Sequence, residues 1–242
     1  MNLELRKKVL KSSYKAGSCH VGSALSCVEI IDAIYSVKGP DDIFIFSKAS
    51  GIATLYCKLH PAKASEYLKK YPLPSKEVPG IIWSGGSLGM GLSIAAGMAL
   101  ADRERKVYCL ISDGELQEGQ TWEAIMFSAH HQLHNLIVII DRNGFQALGK
   151  TEDICRLEPL DQKFVSFGWN TINVDGHNSG LLEGWLKNIP RNDNPNVLIA
   201  KTTKGKGVGF MQDNNNWHYL NLNAKRFKEA ILQLSSEVGE KG

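Results

Sequence analysis

From residue 83 onward, short apolar runs alternate with longer helical stretches, and this alternation sets the expected fold. The runs 107–112, 136–141, 170–174 and 196–201 have strand length and are rich in branched apolar residues. A helical pattern over 122–134 separates the first two. Upstream, the glycine-rich turn 85–91 leads into an apolar helix that ends near Ala101. Such runs, interleaved with helices, predict an α/β architecture: a parallel sheet with helices on both faces. The first 36 residues read as two helices, LELRKKVLKSSYKAG and SALSCVEIIDAIYSV, joined by a turn over 18–22. Residues 61–79 hold four of the eight prolines, which predicts an irregular surface loop. No repeat or low-complexity linker divides the chain. One domain over 1–242 is expected, with a helical start over 1–36, an α/β core over about 40–210 and a polar helical tail over 224–242.

Composition narrows the class without choosing within it. A chain of 242 residues with 43% hydrophobic content can bury one substantial core. The longest strongly apolar run, 136–140, is far short of a membrane helix, and the N-terminus lacks the apolar core of a signal peptide. A net charge of +3, with basic residues dispersed apart from Lys201, Lys204 and Lys206, gives no nucleic-acid footprint. The five cysteines are odd in number and form no CxxC pair. That argues against a disulfide framework or a thiolate metal cluster and for a cytoplasmic protein with reduced thiols.

Ligands of open α/β sheets bind at the carboxyl ends of the strands. There the run VYCLIS ends in Asp113-Gly114, and the next, LIVIID, leads into Arg142-Asn143. One crossover helix between neighbouring parallel strands puts Asp113 and Asn143 on the same sheet edge. A carboxylate with an amide oxygen suits Mg²⁺, which keeps positions open for phosphate and water. Gly114 leaves a backbone N–H free for a phosphate. Taken singly, DG and RNG are also ordinary turn sequences. The glycine turn runs G-x-x-G-x-G, which is not the dinucleotide fingerprint, and no GxxxxGK[ST] loop is present.

Together, the run from Asp113 to Gly119 and the later Asn143 resemble the thiamine diphosphate signature of the transketolase family, with Ser112 where that family has glycine. The resemblance extends along the chain. AGSCHVG at 16–22 is similar to the segment containing Ser-Gly-His-Pro-Gly, and GSLGMG at 86–91 to the Gly-Ser-Leu-Gly-Gln-Gly turn, with Met90 in place of Gln. LEPL at 157–160, FGW at 167–169, VDGH at 174–177, AKTTKGKGV at 200–208 and Trp217-His218 follow in family order. Two family histidines are absent. Ser50 stands at one position, and KYPLP at 70–74 replaces the Gly-His-Pro segment.

The resemblance implies a thiamine diphosphate-binding fold that holds the diphosphate end of the cofactor. Asp113, Asn143 and the Phe145 carbonyl would bind Mg²⁺, or Ca²⁺ or Mn²⁺ in its place. Gly86, Ser87, Leu88, Gly114, Glu115, Asn143, Ser50 and His218 would cradle thiamine diphosphate. His20 and His218 would assist proton transfers to a sugar or keto substrate. Glu118, and less strongly Glu123, match interface positions, although an acidic residue early in a helix is favoured by the dipole alone. The glutamate that activates the cofactor belongs to a second domain in this family. The resemblance therefore implies a partner chain like the transketolase middle and C-terminal domains, in an α₂β₂ assembly. The implied activity is transfer of a two-carbon ketol or acyl unit between carbonyl compounds. The alternatives are an inactive regulatory homologue and one chain of a 2-oxo acid decarboxylase or acyltransferase.

Overall fold

The computed structural model describes residues 1–190 and 192–236. Its helical start forms α1 (Leu3–Ala16), α2 (Val21–Ser26) and α3 (Val28–Val37). Asn2 caps α1 by accepting the Leu5 N–H. Gly17 ends that helix at φ 62°, returning its N–H to the Ser13 and Tyr14 carbonyls. The second expected helix is broken at Cys27, whose φ of −99° and ψ of 15° fall in the sparsely allowed bridge region.

The chain continues through β1 (Ile43–Phe46), α4 (Ile52–Leu59), α5 (Ala64–Lys70), α6 (Met90–Ala101), β2 (Val107–Ser112) and α7 (Gly119–His130). Then come β3 (Leu136–Arg142), α8 (Thr151–Ile154), α9 (Leu160–Ser166), β4 (Asn170–Asp175), α10 (Ser179–Lys187), β5 (Asn196–Lys201) and α11 (Ala224–Ser236). Three local expectations shift. Strand β1 is additional to the expected strands, the proline-rich stretch carries α5 before its loop, and α7 starts and stops earlier than 122–134. Gln132, at φ 51°, turns the chain away from a helix there. Residues 237–242 of the expected polar tail lie outside the described residues.

All five strands are parallel, in the order β1-β2-β3-β5-β4. Successive side chains of a strand point to opposite faces, and β2 displays this directly. Tyr108 and Leu110 enter the core formed with α1 to α4, α10 and α11. Val107, Cys109 and Ile111 enter the core formed with α6, α7 and α9. The sheet is thus covered on both faces. Each Leu, Ile or Val fully buried in these cores contributes roughly 1.5–3 kcal/mol. The register pairs Ser112 with Asp141 and Arg142 with Lys201, so the loops after β2, β3 and β5 emerge side by side. Among the described residues no helix is long and apolar enough to cross a membrane.

Candidate functional site

The loop after β2 is a short 3₁₀ turn over Asp113–Gln117 that folds back on its own strand end. Glu115 accepts the Ser112 N–H at 2.8 Å and the Ser47 hydroxyl, which joins this turn to the end of β1. The Glu115 carboxylate is fully buried, so it braces the turn from inside and does not line the cleft. Asp113 is buried under the cleft floor. Its Oδ2 accepts the Gly144 N–H at 2.6 Å and an Arg142 N–H at 3.1 Å, while Oδ1 accepts the Gly114 N–H at 3.0 Å, so that N–H is not free as the sequence suggests. Burial, followed by the nearby Asp141 charge, pushes the Asp113 carboxyl up to about 6 despite Arg142.

Asp141, at the end of β3, ties three elements together. It accepts the Ser26 hydroxyl at 2.5 Å and the Thr202 hydroxyl, and its Oδ2 lies 3.2 Å from Lys48 Nζ. Burial opposes the Lys48 charge, but Asp141 leads the groups that outweigh it and hold the ammonium above its ordinary pKa. A second buried lysine, Lys204, donates to Asn215 Oδ1 at 2.7 Å, and its Nζ lies 3.1 Å from His218 Nδ1. Burial, with Lys48 nearby, lowers Lys204 to about 8. The His218 and His20 rings meet edge to face at 4.8 Å. Burial and the neighbouring cations push His218 down to about 3 and His20 to about 4, so both imidazoles are neutral at physiological pH. His20 occupies the left-handed backbone region at φ 63°, a strained position for a non-glycine residue at a site.

These groups surround a cleft of about 460 Å³ at the carboxyl edge of the sheet. Gly114, Asn143, Phe145, Ser50, Leu88, Glu118 and His218 line it. Of the other expected site residues, Asp113 lies just beneath, Gly86 and Ser87 are on the turn before Leu88, and His20 lines an adjoining cavity. Glu123 is exposed on α7. Three contributors escape sequence reading. Lys48 lines the cleft, Lys204 sits against Phe145 and His218, and Arg142 pairs with Asp113. Lys48 and Lys204 stand inside motifs similar to the family's, but a lysine reads as a solvated charge until the fold buries it.

The donor set fits a cation and a diphosphate. Asp113 Oδ1 accepts a single N–H and keeps a lone pair, and Asn143 and Phe145, which line the cleft above it, carry an amide oxygen and a carbonyl of the same hard character. Among the described residues no group of three His, Cys, Asp or Glu could hold a metal, so phosphate and water oxygens would complete the shell. A side chain at Gly114 would put its Cβ 2.9 Å from that of Gln146, so the cradle requires glycine there. Of the two buried lysines, Lys48 lines the cleft and Lys204 stands behind it against Phe145 and His218.

Comparison with known proteins identifies the family of the chain. Residues 72–239 match the family described as transketolase, thiamine diphosphate binding domain. The chain is 33% identical to an apulose-4-phosphate transketolase subunit of Phocaeicola vulgatus, covering 96% of this chain and 92% of that protein. It is 34% identical to the 6-deoxy-6-sulfo-D-fructose transketolase subunit SqwG of Clostridium sp., covering 96% and 94%. Transketolase from Campylobacter jejuni superposes with a TM-score of 0.80 at 26% identity, covering 97% of this chain but 43% of that one. The fold and the cleft define a diphosphate-binding α/β domain, and the chain belongs to the transketolase family as its thiamine diphosphate-binding part.

Proposed function

We propose that the chain is the diphosphate-holding subunit of a two-subunit, Mg²⁺-dependent transketolase that works in the cytoplasm. It moves a two-carbon ketol unit between sugar or keto substrates. The observation that carries this reading is one cleft at the strand ends, lined by Gly114, Asn143, Phe145 and Lys48, with buried Asp113 beneath it and Lys204 behind His218. Asp113 Oδ1, Asn143 and the Phe145 carbonyl would hold the divalent cation. Gly114, Ser50, Leu88 and His218 would cradle the cofactor, while Lys48 and Lys204 would offset the charge of its diphosphate. Thiamine diphosphate, when bound, supplies the carbon centre that adds to a carbonyl and stores the resulting electron pair.

His20 and His218 are neutral, so each offers one N–H and one lone pair. They hydrogen-bond substrate oxygens and exchange protons with them. Lys204 fixes the His218 tautomer by donating toward Nδ1, which leaves the Nε2–H to donate. Relatives of matching length are named as transketolase subunits, which supports a partner chain. A partner like the transketolase middle and C-terminal domains, in an α₂β₂ assembly, would complete the site. Glu118, at the cleft wall, is the carboxylate suited to communicate with it.

Calorimetry with thiamine diphosphate and Mg²⁺ tests the cation and diphosphate assignments together. Binding by the wild-type chain should depend on Mg²⁺, and Asp113→Ala should weaken it by at least about tenfold, the loss of one charged contact. Unchanged affinity in that variant would overturn the assignment.

A further inference from the structure

A second cavity, of about 490 Å³, adjoins the cleft on the far side of His20 and Ser50. Ser50 lines both spaces, and the His20 ring that faces this cavity packs on His218, which faces the other. The chemistry of the cleft and the contents of this cavity therefore meet across the same three side chains.

The cavity is preformed on two sides. Its inner wall is Ile52, Ala53 and Leu68, each under 5% exposed and packed into the core. Its outer wall is the segment carrying Pro72 and Leu73. The buried Tyr56 phenol donates to the Tyr71 carbonyl at 3.2 Å and the Leu73 carbonyl at 2.9 Å, and the Gly85 N–H donates to the Pro74 carbonyl at 3.0 Å. These bonds fix the outer wall, so its apolar character is built in.

Ser18, His20, Ser50 and Asn221 can serve hydroxyls on their side of the cavity, so a polyhydroxylated chain is a poor occupant along the apolar walls. Each hydroxyl pressed against Ile52, Leu68 or Leu73 would lose its water partners without gaining protein ones, at a cost of roughly tenfold in affinity. Methylene groups gain from the same walls. Among the described residues Lys69 is the one lysine on the wall, and it keeps its head in water.

Building on the cofactor reading above, we propose that this cavity selects the substrate. It takes a carbonyl compound whose carbons beyond the reacting carbonyl are poor in hydroxyls and end in an anion paired by Lys69.

Four C4 aldehydes separate the two features: butanal, 4-oxobutanoate, erythrose and erythrose 4-phosphate. Saturation-transfer NMR titrations use the full chain loaded with thiamine diphosphate and Mg²⁺. We expect 4-oxobutanoate to bind about tenfold tighter than erythrose 4-phosphate, and butanal tighter than erythrose. Lys69→Ala should erase the advantage of 4-oxobutanoate over butanal. Leu73→Asn, at an exposed site that the fold tolerates, should narrow the gap between butanal and erythrose. Equal binding of all four probes, no binding of any, or preferences unchanged in both variants would overturn the proposal. Calorimetry on the same samples separates the two readings. Failure of wild-type cofactor binding removes the underlying function, whereas normal cofactor binding without probe preference removes the pocket alone.

Discussion

Asp113 concentrates the cost of building this site at a single residue. Its carboxylate is buried, faces the charge of Asp141, and is only partly compensated by Arg142. The folded chain therefore holds the Asp113 proton more tightly than the unfolded chain does, with the pKa raised from 3.8 to about 6. The stability that this proton confers is fully present below about pH 4 and is lost as pH rises through 6. A shift of this size is worth about 3 kcal/mol by neutral pH. Asp113→Asn removes the titration, so between pH 4 and 7 the wild-type chain without metal should lose about 2 kcal/mol that the variant retains. Urea melts of both proteins at the two pH values give this difference directly. Comparing slopes cancels the fixed cost of placing an amide there and the titration of His20 and His218. Parallel pH dependence in wild type and variant would mean that Asp113 is not the strained carboxylate inferred here. Mg²⁺ with thiamine diphosphate should recover the loss at pH 7 in the wild type only.

At the scale of elements, the site depends on how closely α6 packs on the end of β1. A Cβ at Gly91 would stand 2.3 Å from Ser47 Oγ and 3.1 Å from Ser47 Cα. Ser47 cannot swing away freely, because its hydroxyl holds Glu115, which in turn caps the turn that carries Asp113 and Gly114. Gly91→Ala should thus destabilise by roughly 1–3 kcal/mol through overpacking. A thermal midpoint indistinguishable from wild type would refute the close contact. The same linkage explains what can and cannot be read from the chain. Strands β2, β3 and β5 are legible because they are apolar on both faces, and Asp113 and Asn143 because each follows such a strand. Strand β1 is not, since IFIF is too short for periodicity to separate strand from helix. Glu115 looks like a cofactor residue inside DGELQEG, but the 3₁₀ turn points its third residue back to the Ser112 N–H. Lys48 and Lys204 acquire their character from burial, which a local pattern does not encode.

For the molecule as a whole, the described cleft lacks a cover and offers a single carboxylate, Glu118. Leu148, Ile154 and Leu88 on its walls are 78%, 46% and 46% exposed, so the space that should exclude water is open on an apolar side. Among the described residues Glu118 is the only carboxylate lining the cleft, since Glu115 is committed to Ser47 and Ser112, and Asp113 lies below the floor. A positioned base contributes about 10²–10⁴-fold to a proton transfer. Hydrogen–deuterium exchange at the thiazolium C2 position reports such a base without requiring a substrate. With Mg²⁺ present, this chain should bind thiamine diphosphate yet leave C2 exchange near the rate of the free cofactor. Adding the partner chain should accelerate exchange by at least about 10²-fold. The partner would do so by covering the apolar side of the cleft and bringing a carboxylate to the pyrimidine ring. Glu118→Gln in the complex should weaken assembly more than it slows exchange, as suits a residue at the join. Fast exchange by this chain alone, abolished in Glu118→Gln, would reverse the division of labour. Glu118 would then be the activating group, and the exposed apolar rim would face substrate instead of a second chain.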